Sequence, residues 1–79
     1  MAKRKTATVL MRQVVIYPDR EGSVWVAEVP SLPGCVTQGD TRKDVLRNAR
    51  DAIETWIDGA QRVGLPIPEE TFDVQVCVV

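Results

Sequence analysis

With 79 residues, 44% of them hydrophobic and 27% charged, the chain is sized and composed for one globular domain with a small core. Two cysteines and no histidine exclude a four-ligand structural zinc site, and any serine or cysteine nucleophile that needs an imidazole base. The formal charge of −1 hides an asymmetry: Lys3, Arg4, Lys5 and Arg12 precede a net acidic body, which disfavours direct nucleic-acid binding and suits a basic partner.

Residues 1–8 form a basic N-terminal arm, read as a solvated tail. They lack the apolar stretch of a secretory leader, and no later run approaches the roughly 18 residues that cross a bilayer. A cytoplasmic location without membrane contact is therefore expected. Val9 to Tyr17 is rich in β-branched residues and reads as the first strand. Pro18-Asp19-Arg20-Glu21-Gly22 is turn sequence, with proline presetting φ and glycine supplying a positive one. Ser23 to Val29 is the second strand, paired with the first as a hairpin. Pro30, Leu32, Pro33, Gly34 and Cys35 form a connection into a short third strand over Cys35 to Gly39.

Thr41 to Val63 predicts a long helix. Val45, Leu46, Ala49, Ala52, Ile53, Trp56, Ile57, Ala60 and Val63 fall on one broad apolar stripe. Thr41 is the expected N-cap, Gly64 the left-handed stop, and Pro66 lies just beyond it. Asp58–Arg62, Arg47–Asp51 and Arg50–Glu54 are the expected i,i+4 ion pairs on the outer face. Phe72, Val74, Val76 and Val78 alternate with Asp73, Gln75 and Cys77, which predicts a fourth strand with Cys77 buried in it. The expected class is α+β, a single β-β-β-α-β domain over 9–79. A right-handed crossover gives a mixed four-stranded sheet of order 3-2-1-4, with one long helix on one face.

One helix covers one face only, yet strands 1 and 2 are apolar on both. The uncovered face, including Tyr17, Val24 and Val26, is the expected partner-binding surface, and a homo-oligomer (dimer or tetramer) or a tight hetero-complex is expected. Asp19, Glu28 and Asp40 are the only carboxylates considered for metal-ion chemistry; each has an ordinary turn or sheet-rim explanation. Gly34 and Gly39 make no phosphate loop. Trp25 and Trp56 lie on apolar stripes and are expected in the core. Cys35, with no evident cation beside it, is read as a small buried hydrophobe. No catalytic residue, metal or cofactor is assigned.

Ile16-Tyr17-Pro18-Asp19, Gly22, the run from Trp25 to Cys35, Gly39-Asp40-Thr41, Asn48-Ala49, Ala52-Ile53, Trp56-Ile57 and Gly64-Leu65-Pro66-Ile67-Pro68 together resemble the N-terminal domain of HicB-type antitoxins, over about residues 13–70. Pro30, Leu32, Pro33, Gly34, Cys35, Gly39 and Thr41 then count as structural motif residues. The resemblance implies a partial ribonuclease H-like fold. It also implies a non-enzymatic antitoxin of a type II toxin-antitoxin system, whose partner is a small basic HicA-like mRNA-cleaving toxin neutralised by direct protein binding. A solitary oligomeric or RNA-binding module, or a divergent metal-dependent nuclease, are the alternatives. No C-terminal DNA-binding domain is expected after Pro68. Arg42-Lys43 departs from the acidic pair common at this helix start.

Overall fold

The computed structural model describes residues 11–79. The basic arm and the first residues of the expected opening strand, Val9 and Leu10, lie outside the described residues. Among the described residues three strands and one helix follow in order: β1 Val15–Pro18, β2 Trp25–Glu28, β3 Val36–Gly39 and α1 Arg42–Arg62. Both strand pairs are antiparallel and β2 is central, so the sheet order is β1-β2-β3.

Each connection has a local cause. Between β1 and β2, the Gly22 amide donates to the Asp19 carbonyl at 3.0 Å and Asp19 N donates to Val24 O at 2.9 Å. Gly22 takes the positive φ of 72° that this bend requires. Between β2 and β3, Leu32 N donates to Val29 O and Cys35 N to Leu32 O, both at 3.0 Å. The second of these turns carries Pro33 and then Gly34 at φ 78°, the residue pair that a type II turn favours. Val29 N then donates to Cys35 O at 3.0 Å and closes the loop.

Thr41 caps α1 from extended backbone, its Oγ1 accepting from Asp44 N at 3.0 Å. The far end is a Schellman motif: Leu65 N donates to Ala60 O, Gly64 N to Gln61 O, and Gly64 has φ 73°. The stripe buries Val45, Ala49, Ile53, Ile57 and Ala60, while Leu46 and Val63 at its margins are exposed. Asp58 and Arg62 pair at 2.9 Å as their spacing predicts, whereas Arg47 bonds back to Asp44 at 2.9 Å.

The helix packs on one sheet face through two clusters. Ala27, Val45 and Ala49 form one, with Val14, Ile16 and Trp25 against them. Val29, Leu32, Cys35, Ile53 and Ile57 form the other, flanked by Val14, Ala52, Trp56 and Ile67. Both tryptophans therefore serve the core, and Trp56 Nε1 also donates to Pro33 O at 3.0 Å.

The expected fourth strand is not formed, so β-β-β-α-β with sheet order 3-2-1-4 is corrected to β-β-β-α with order β1-β2-β3. The cause lies in how the chain after α1 is held. Arg12 Nη1 donates to Pro68 O at 2.6 Å, Gln13 N to a Glu70 carboxylate oxygen at 2.8 Å, and Val74 N to Gln13 Oε1 at 2.9 Å. Side chains thus occupy backbone groups that a ladder would use. Phe72 has φ 55°, outside extended backbone. Cys77, expected in a buried strand, is exposed.

Candidate partner-binding face

Strand alternation fixes which side chains the helix leaves uncovered. Ala27 is fully buried under α1, with Ile16 and Trp25 on the same side. Their neighbours Tyr17, Val24 and Val26 therefore stand on the opposite face. Tyr17 and Val26 are directly opposed across β1 and β2. Val24 and Val26 are half-buried by their neighbours and Tyr17 is 39% exposed. The structure brings together the three residues that the sequence nominated for partner binding.

Two further members of this face escaped sequence reasoning. Val36, opposite Glu28 in the ladder, is 55% exposed; the alternation of Val36, Thr37 and Gln38 carried that signal. Glu28 accepts a hydrogen bond from the Tyr17 hydroxyl. That bond, then desolvation and the carboxylate's charge, hold the phenol pKa above its ordinary value of 10.0. The result is a shallow apolar patch with a phenol–carboxylate pair on it.

Asp19 stands at the end of this face, with its carboxylate turned into the hairpin. It accepts from Val24 N, from Ser23 N at 2.8 Å and from Ser23 Oγ at 3.2 Å. The Val24 bond leads the set that holds its pKa below the ordinary carboxylate value, against a desolvation that raises it. Asp19 and Asp40 flank the Trp25 end of β2, while Glu28 is at the other end of that strand, so the three carboxylates do not converge. Among the described residues no group of three or more His, Cys, Asp or Glu is placed to hold a metal ion.

The motif residues have structural positions. Leu32 is fully buried and Cys35 is 5% exposed; burial pushes the Cys35 thiol up, which makes it a poor nucleophile. Pro30, Pro33 and Gly34 are the exposed outer rim of the same loop. At Gly39, a Cβ would lie 2.6 Å from Val45 N. The glycine therefore permits β3 to touch the start of α1, a reason that sequence reasoning did not supply. No helix of the described residues is long and apolar enough to cross a membrane.

Comparison with known proteins places the chain in a family. A UPF0150 protein of Thermoplasma acidophilum is 38% identical over 80% of this chain and 91% of its own length. Another UPF0150 protein, from Synechocystis, is 32% identical over 84% of this chain and 90% of its own. Antitoxin HicB 1 of Photorhabdus laumondii is 34% identical over 82% of this chain, which corresponds to 45% of that longer protein. No solved structure matches the chain. The family described as HicB_like antitoxin of bacterial toxin-antitoxin system matches residues 13–77, the span that holds the sheet, the helix and the uncovered face, and the chain belongs to that family.

Proposed function

We propose that this chain is a non-enzymatic antitoxin that neutralises a small, basic, HicA-like mRNA-cleaving toxin by binding it directly through the sheet face opposite α1. The observation that carries the reading is the grouping of Tyr17, Val24, Val26 and Val36 on that face, within a family of antitoxins. Apolar patches left uncovered on small domains are typical docking surfaces. Charge favours the same partner: residues 13–79 carry six basic side chains against eleven acidic ones, which would draw a basic protein into encounter.

The test is growth rescue. Co-expression with a HicA-like toxin encoded beside this chain restores growth, and Val26→Asp abolishes the rescue while the helical circular dichroism stays unchanged. Failure of the unaltered chain to rescue sinks the antitoxin reading. Full rescue by Val26→Asp moves the interface off this face.

A further inference from the structure

We propose that residues 74–79 of a second copy of this chain add as a strand to the outer edge of β3, seating Val74, Val76 and Val78 in the groove between β3 and α1. The receiving site is described by three observations. Among the described residues β3 has a strand neighbour on one side only, so half of its backbone N–H and C=O groups face away from the sheet. Along that edge runs a groove of about 440 Å³, lined by Cys35, Thr37, Asn48, Ala52, Thr55 and Trp56 among others. Cys35, Ala52 and Trp56 give the groove apolar lining, and Asn48 to Trp56 of the helix form its other wall. Asn48 Nδ2 already donates to Gln38 O at 2.9 Å, which shows a helix side chain reaching the backbone of this strand.

The occupant is identified by the chain's own last residues. Val74-Gln75-Val76-Cys77-Val78-Val79 carries no charged side chain and alternates at the period of a strand. Val76 is 89% and Val78 99% exposed. Beyond Leu65, no backbone–backbone hydrogen bond is formed among the described residues. A segment of this kind, β-branched, uncharged and without proline, gains most by joining a sheet edge. With Val74, Val76 and Val78 turned to the groove, Gln75, Cys77 and Val79 would lie on the opposite side, beside Val36.

Geometry selects a second copy over the same chain. Val74 N is tied to Gln13 Oε1, at the β1 side of the sheet, whereas the groove flanks β3, with β2 between. At about 4.8 Å per strand, crossing from β1 to a place outside β3 takes about 14 Å. The five residues beyond Val74 span at most about 17 Å, which leaves almost nothing to lie along β3. Reciprocal exchange between two copies related by a two-fold axis meets the requirement and closes the assembly as a dimer. This pairing does not depend on the toxin reading: it uses the β3 edge and meets the proposed toxin-binding face only at Val36.

The experiment exploits the unequal cysteines. Cys77 is exposed and Cys35 buried, so a maleimide spin label attaches at Cys77. Labelled chain at natural isotope abundance is mixed with unlabelled ¹⁵N chain, without any toxin. The expected result is line broadening at the amides of Val36, Thr37 and Gln38 and at the Trp56 indole of the ¹⁵N chain. Sedimentation should show a dimer whose self-association weakens more than tenfold in Val76→Asp, with the helical signal retained. Val76 is too exposed for that change to unfold a monomer, and Val78→Asp supplies an independent second variant. Broadening confined to residues 12–16, no intermolecular broadening at all, or undiminished dimerisation of both variants would each overturn the proposal.

Discussion

Leu32 lies in a loop flanked by Pro30 and Pro33, yet its side chain is fully buried. Two consecutive turns fold the loop back so that the one leucine between the prolines meets Ile53 and Ile57 of α1. Pro33-Gly34 made the turn legible from sequence, because proline presets one φ and glycine supplies the other. The burial was not legible, since a segment rich in proline and glycine gives no periodicity to assign a face. Tyr17 offers a prediction at this same scale. It is the chain's one tyrosine, so its phenolate absorbance can be followed without interference. The bond to Glu28 favours the protonated phenol, and Tyr17 should ionise at higher pH than a free tyrosine. In Glu28→Gln the titration should move back toward the ordinary value; an unchanged curve would mean that the pair does not persist in solution.

At the scale of the element, periodicity reveals the helix but not the conformation of residues 72–78, and the difference has a physical cause. The stripe of α1, the Thr41 cap and the Gly64 stop are properties of neighbouring residues, so the helix emerged with nearly its observed bounds. Residues 72–78 have an equally clear alternation but do not form a strand. Alternation reports which side chains share a face; it does not report whether a ladder partner is within reach. Phe72 at positive φ and the side-chain bonds of Arg12 and Gln13 are long-range facts with no local signature. The contact between β3 and α1 belongs to the same class. At Gly39, a methyl group would strike the backbone of Asp44 and Val45 at 2.6–2.9 Å, atoms that cannot rotate aside. Gly39→Ala should therefore lower stability by about 1–3 kcal/mol, the usual range for overpacking, seen as an earlier denaturant midpoint. Gly34→Ala separates the two causes: nothing lies within 4 Å of its Cβ position, and only its positive φ of 78° opposes the change.

At the scale of the whole molecule, a polar clasp joins the segment before β1 to the chain beyond the helix. Glu70 receives N–H bonds from Gln13, 57 positions away, and from Phe72, each at 2.8 Å. Desolvation pushes its carboxyl up, but those two bonds, with Ser31 and Arg12, outweigh it and hold the pKa below the ordinary 4.5. A depressed folded-state pKa contributes stability that is complete above the unfolded value and fades as pH falls through the folded one. Glu70→Gln should consequently melt earlier than the unaltered chain at neutral pH, with the gap closing as the solution is acidified below the ordinary carboxylate range. A gap of constant size would show that the ionised form adds nothing. The loop described first has a wider consequence for recognition. Because Leu32 and Cys35 are interior, a residue exchanged at either position is judged by how it fits beneath α1, whatever the exposed Pro30, Pro33 and Gly34 beside them do. Under the docking proposed above, discrimination between partners would fall instead to side chains such as Val24 and Val26, on the sheet face away from the helix.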